Sequence, residues 1–345
     1  MPSIRQPLNL RIGVVQFAPR IGHVQSNIAK ARDLCKRIQR GSVDVLCFPE
    51  MAFTGKYKHR YVFENASAIS PHLEHPTTGP TSQFCAELAK NLGCYVTAGY
   101  PEKLSEEEIK GLEPEVITLP SISEVEKKPN NSVLREQVGA NSAVLYNPEG
   151  ELICNYRKTN LFVTDLSWAK AGTGFKTLSL PPPLRTITLG ICNDLNPQSS
   201  IWSVLKGPFE LSSHALENKT NVLILLNAWL DSKKDEDVEH DWSTLNYWAS
   251  RMRPLWSDGK EREDPENSSN NGSDDQEETP SPQESSPADD PEVVVVVCNR
   301  TGEENGKTFA GTSAIFSMRR SVGRPKLLDM MERDEEGVRI WNITV

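Results

Sequence analysis

Five consecutive valines, Val293 to Val297, followed by Cys298, constrain this 345-residue chain more than any other feature. β-Branched side chains at every position suit a strand, and such a strand has no polar face to turn toward water. The run is too short to cross a bilayer, so it needs protein on both sides. Other apolar runs, less uniform in composition, recur at residues 10–17, 43–48, 94–100, 142–147, 152–156, 186–191, 222–227 and 313–318. Between them lie segments of helical period, clearest over residues 24–40, where Ile28, Ala31, Leu34, Cys35 and Ile38 share one face, and over residues 81–92. Repeated alternation of the two patterns predicts a layered α/β domain.

Three of the strand-like runs end in reactive groups. The run 186–191 meets Cys192 in TLGICNDLNP, the run 43–48 leads to Glu50 in CFPEMAFTG, and the run 152–156 leads to Lys158 in YRKTNLF. A cysteine is only a few per cent thiolate at neutral pH, so a nucleophilic thiol needs a base, and Glu50 is the candidate. The oxyanion of a tetrahedral intermediate needs a preorganised donor, which Lys158 and the backbone N–H of Asn193 can provide. A lysine among apolar neighbours is expensive to desolvate without a partner. Each residue alone has a plainer reading: Cys192 as a small core side chain, Glu50 as a loop acid, Lys158 as half of a solvated pair with Arg157. Thiol, carboxylate and amine together point to amide cleavage. None of the six histidines sits in a comparable strand-end position.

These motifs resemble the Glu-Lys-Cys triad of the nitrilase, or carbon-nitrogen hydrolase, superfamily. The opening LRIGVVQFAP and the late CNRTGEENGKTFAGTSAIF resemble that family's edges, so the likeness spans nearly the whole chain. It implies a four-layer α-β-β-α sandwich of the nitrilase type, which periodicity alone does not give. Within the superfamily, YRKTNLF followed by TDLSWA, the GIC-x-DLNP elbow and Asn227-Ala228-Trp229-Leu230 are most similar to the fungal protein N-terminal amidases. That subgroup deamidates N-terminal Asn and Gln of polypeptides in the N-degron pathway. The resemblance therefore implies a polypeptide N-terminus as substrate, a Cys thioester intermediate and no cofactor or metal. It further implies downstream ubiquitin-ligase components and a homodimer as expected partners.

The chain departs from the family pattern at two places. Many members carry a second glutamate about two helical turns past the lysine, where this chain reads Leu166 with Asp165 beside it. Asp165 either takes over that polar role or the second carboxylate is missing. Lys56, after Glu50, stands where the subgroup commonly has an aromatic. Asp194 has two readings: it receives the α-ammonium of an N-terminal substrate residue, or it caps a helix over 199–205 or ties down the elbow backbone. Trp229, after the run 222–227, is expected to line the pocket mouth. The competing functions are a small-molecule amidase or nitrilase with the same chemistry, and an inactive nitrilase-fold binding protein.

Charge separates the domain from its insertions. Residues 257–292 hold thirteen acids and two bases, a local charge of −11, which leaves about +2 of the total −9 for the remainder. The folded part thus has no basic stripe for nucleic acid. The acidic segment lacks apolar periodicity and is expected to be a disordered insertion within a single hydrolase domain spanning 8–345. A second insertion is expected over 103–137, where Val116 to Leu119 can pack locally. Seven cysteines without a C-x-x-C pair argue for a reducing compartment, and the start has no apolar h-region. The expectation is a cytoplasmic protein without a membrane partner, with a second organellar pool left open. His72 and His75 flank Glu74 but make a poor metal site, and a solvated loop is the expectation there.

Overall fold

The computed structural model describes residues 9–55, 65–118, 132–199, 201–234, 239–258 and 290–344. Among them, the first sheet is built from β1 (Asn9–Gln16), β2 (Val45–Cys47), β3 (Tyr95–Lys103), β4 (Gly139–Tyr146) and β5 (Leu152–Arg157). The second is built from β6 (Lys176–Ser179), β7 (Thr186–Ile191), β8 (Val222–Leu226), β9 (Val293–Cys298), β10 (Ala314–Met318) and β11 (Lys326–Met330), while β12 (Gly337–Thr344) returns to the first. The strand orders are β12-β1-β2-β3-β4-β5 and β11-β10-β9-β8-β7-β6. Each sheet has a parallel trio, β1-β2-β3 or β7-β8-β9, flanked by antiparallel strands. The carboxyl ends of each trio therefore lie along one edge, where loops can carry side chains.

The valine run shows how the layers are stacked. Val294, Val296 and Cys298 face the other sheet, packing with Ile12, Val14, Val45, Ile191 and Ile224. Val293, Val295 and Val297 face outward against α3 (Glu210–Glu217) and α4 (Trp242–Arg251) through Leu211, Ala215, Leu245 and Trp248. The outer face of the first sheet packs Leu46, Val96 and Val144 against α1 (Val24–Cys35) and α2 (Pro80–Leu92) through Ile28, Ala31, Phe84 and Leu88. Each Val, Leu, Ile or Phe among them contributes about 1.5–3 kcal/mol by leaving water. The result is the four-layer α-β-β-α sandwich. Helix α2 begins with Pro80, whose missing N–H is no loss there, and ends at Gly93 in the left-handed conformation, φ 64°.

Several expected bounds shift. The helix expected over 24–40 stops at Cys35, because the chain must turn toward β2 and Gly41 N–H is held by Leu92 C=O. The run 43–48 shortens to three ladder residues because Pro49 has no N–H to extend it, so Glu50 leaves the sheet at once. No helix forms over the described part of 199–205, so the capping role offered for Asp194 there is overturned. Strands β6, β11 and β12 and helix α3 were not expected: they are short or half-exposed, and charged residues interrupt their pattern. In the insertion after β3, Glu115–Thr118 pairs with Ser132–Arg135 as an antiparallel hairpin. Most of the acidic segment, residues 259–289, lies outside the described residues. Among the described residues no helix is long and apolar enough to cross a membrane.

One close approach ties this framework to Glu50. A Cβ on Gly99, in β3, would stand 2.6 Å from Glu50 Cα, 2.9 Å from Met51 N and 2.9 Å from Pro49 O, all backbone atoms. Gly99 N–H donates to Pro49 C=O, and Ala52 N–H donates to Gly99 C=O. Gly99→Ala must therefore push the Glu50 turn out of place. We expect it to lower stability by about 1–3 kcal/mol in urea unfolding, with turnover falling further than the remaining folded fraction explains. Unchanged turnover would show that the turn tolerates displacement.

Candidate active site

The elbow at Cys192 is a strained turn held from several sides. Cys192 has φ 45°, in the left-handed region that a β-carbon disfavours. It opens the short 3₁₀ turn Cys192–Leu195 directly after β7. Asn227, at the end of the neighbouring β8, accepts the Cys192 N–H on Oδ1 at 3.2 Å. Asp194 completes the clamp. Its Oδ1 accepts the N–H groups of Thr159 and Asn160 at 2.9 and 2.8 Å, and its Oδ2 accepts Tyr156 O–H and Ile191 N–H at 2.7 and 2.8 Å. Burial raises the Asp194 pKa to about 6, against the pull of the Asn160 and Ile191 N–H groups and the Tyr156 hydroxyl.

Lys158 follows β5 and is fully buried. Its N–H is held by Asn141 C=O, and its own C=O accepts from Gly172 N–H. The ammonium donates to Glu50 Oε1 at 2.8 Å and to Asp165 Oδ2 at 2.7 Å. Burial pulls its pKa down, but Asp165, then Glu50, then Cys192 outweigh that and hold it well above the ordinary lysine value. The influence of Cys192 puts the thiol within electrostatic reach of the ammonium. Asn141, on β4, donates from Nδ2 to Glu50 Oε1 at 2.7 Å and to Asp165 Oδ1 at 3.3 Å. The structure thus brings Glu50, Lys158 and Asp165 together near Cys192, with Asp165 in contact with the amine and Leu166 turned into an apolar cluster with Met51, Leu161, Trp168, Ala228 and Phe309.

The remaining expected residues divide. With four donors on its two oxygens and no exposed surface, Asp194 serves the elbow, and its reading as an α-ammonium receiver loses its geometric support. The Asn193 side chain also braces the turn, donating to the C=O groups of Asn160 and Leu161. Trp229 is half-buried, its N–H held by Asn299 Oδ1 at 2.8 Å and its ring 5.3 Å from Tyr247. Glu74 is no part of a solvated loop: it is 5% exposed and accepts from Thr81 N–H and Oγ1 at the start of α2. Among the described residues no metal-holding group of His, Cys, Asp or Glu occurs. Sequence reasoning missed Asn141, and it named Asn227 only as part of a motif, without its hold on the elbow. Both are polar residues bounding apolar runs, a weak signal that many ordinary strand ends share. The six thiols other than Cys192 are all pushed up by burial, Cys35 and Cys94 to about 12.

Comparison with known proteins gives the family and the fold. The family described as carbon-nitrogen hydrolase matches residues 11–207. A protein named protein N-terminal amidase from Schizosaccharomyces pombe is 31% identical over 349 aligned residues, covering 95% of this chain and 98% of its own. A nitrilase from Pyrococcus abyssi is 26% identical over 57% of this chain and 62% of its own length. Among solved structures, an N-terminal amidase with an Asn-Glu-Ala peptide superposes with a TM-score of 0.71 at 19% identity, covering 98% of both chains, which shows the shared fold.

The elbow reading of Asp194 has a direct test. Asp194→Asn replaces an acceptor oxygen by an N–H₂ facing N–H and O–H donors. Turnover should fall by about tenfold or more, by a similar factor for amides with and without a neighbouring amino group. A loss confined to substrates with a free amine would make Asp194 a substrate contact.

Proposed function

The chain belongs to the carbon-nitrogen hydrolase family, and on that premise we propose that it deamidates the side-chain amide of an N-terminal Asn or Gln, giving Asp or Glu and ammonia. The observation that carries this reading is a fully buried lysine ammonium bonded to two carboxylates beside a cysteine elbow. The choice of substrate rests on the S. pombe relative, matched over nearly its full length.

In this reading Cys192 Sγ attacks the carboxamide carbon while Glu50 accepts the thiol proton. The oxyanion is met by Lys158 and by the backbone N–H of Asn193. Because its pKa is raised, Lys158 stays a cation and does not compete for that proton. Asp165 keeps the ammonium in place as the second carboxylate. Glu50 then passes its proton to the nitrogen, the C–N bond breaks and ammonia leaves, so that a thioester remains. Water activated by Glu50 hydrolyses it. Trp229 and Tyr247 stand near this centre as one wall for the substrate. The Tyr247 pKa is raised mainly by burial, with a smaller contribution from Cys192.

The product would carry a new N-terminal acid, the kind of end that an N-degron pathway with its ubiquitin ligases reads. Seven cysteines, all thiols rather than disulfides, suit the cytoplasm as the place of action.

Ammonia release from short peptides tests the substrate. Peptides beginning with Asn or Gln should react, and their acetylated or internal counterparts should not. Equal rates on free and acetylated peptides would leave a small-molecule amidase as the function. Variants test the roles: Cys192→Ala should abolish turnover in a folded protein, and Glu50→Gln and Lys158→Met should each lower kcat on the order of a hundredfold or more. Losses of tenfold or less from either would reassign the base or the oxyanion donor.

A further inference from the structure

Asn141 is fully buried, and each half of its amide has a different status. Nδ2 carries two hydrogens, and both are committed: one to Glu50 Oε1 at 2.7 Å, the other to Asp165 Oδ1 at 3.3 Å. Oδ1 is equally buried and accepts from no donor among the described residues. A buried acceptor without a donor costs about 1–3 kcal/mol. Such a group beside the proposed base calls for a donor that arrives with the reaction.

The neighbours do not supply that donor. Lys158 Nζ donates to Glu50 and Asp165 rather than to Asn141 Oδ1. A third carboxylate here would add charge to a centre that already sets two against one ammonium, whereas a neutral amide adds an acceptor alone. A primary carboxamide brings two N–H bonds on the nitrogen that will leave, and it holds three once that nitrogen becomes ammonia. A nitrile or an ester brings none.

We propose that Asn141 Oδ1 accepts an N–H of the substrate carboxamide, making Asn141 a specificity-determining residue for primary amides. This rests on the amidase reading of the site. One side chain then positions the base through Nδ2 and the leaving nitrogen through Oδ1. Asn141 moves no proton: the thiol proton still travels through Glu50 to the nitrogen as the C–N bond breaks. Holding that nitrogen directs its lone pair toward the acid that protonates it.

The test compares a peptide beginning with Asn and the same peptide beginning with Asp β-methyl ester. Both acylate Cys192 and share the deacylation step, but the ester has no N–H at the leaving group. In Asn141→Ala, the ratio of kcat/KM for amide over ester should fall by about tenfold or more. Loss of the hold on Glu50 also weighs more on the amide, whose nitrogen must be protonated to leave. The ratio in Glu50→Asp, which disturbs the base and keeps Asn141, therefore sets the share that passes through Glu50. A fall in Asn141→Ala no larger than that overturns the proposal. An unchanged ratio, whether both rates fall or neither does, overturns the proposal. Ester turnover and thermal unfolding report an intact fold, and Asn141→Ser is read in the same way if the alanine variant does not fold. Turnover of the amide by the parent protein reports separately on the amidase reading.

Discussion

A lysine ammonium with no access to water is the interaction on which this molecule turns. Burial alone pulls the Lys158 pKa down, and it is held above the ordinary value because Asp165 and Glu50 both contact Nζ. Removing either partner leaves an incompletely compensated buried charge, a loss usually of about 3–5 kcal/mol. The three groups come from two loops, Glu50 after β2 and Lys158 with Asp165 after β5, so the ion cluster also pins those loops to one another. Asn141 ties the two carboxylates together without adding charge. The candidate site and the junction of the loops are thus one structure.

The sheets make that junction possible. Two parallel trios, β1-β2-β3 and β7-β8-β9, face each other across an apolar core, so their carboxyl ends converge from opposite sides. Glu50 leaves the first trio at Pro49, and Cys192 leaves the second at Ile191. Gly99 lets the Glu50 turn press against β3, and Asn227 and Asp194 hold the elbow in its left-handed conformation. Strain at Cys192 is balanced by hydrogen bonds from neighbouring strands, which keep it from relaxing into an ordinary strand geometry. Were the strand to continue in extended form, residue 192 would turn to the outer, helix-covered face, because Ile187, Leu189 and Ile191 already face the sheet interface.

Much was legible in the sequence because it depends on local period or on covalent neighbours. The all-valine run required cover on both faces, and it sits between the opposing sheet and the outer helices. Runs of strand length placed Glu50, Lys158 and Cys192 at strand ends, since a proline or a polar turn directly follows each apolar stretch. Three of the four edge strands, β6, β11 and β12, escaped notice because they are wet on one side. Strand β12, with GVRIWNIT, alternates only partly and gains its place from pairing with β1, more than 300 residues earlier.

Partner choice was beyond the sequence. Asp165 and Leu166 are adjacent, and only the turn after Phe162 decides that the aspartate meets Lys158 while the leucine joins the apolar cluster. Asp194 looked equally suited to a substrate and to the backbone until four donors from three segments were found around it. Asn141 carried no local sign of its contact with Glu50, 91 positions away. The sequence determined which residue types stand at the ends of buried strands, because hydrophobic period and chain connectivity act locally. The tertiary structure decided which of those groups meet, because a hydrogen bond or an ion pair is a property of distance and angle between segments that the chain does not join.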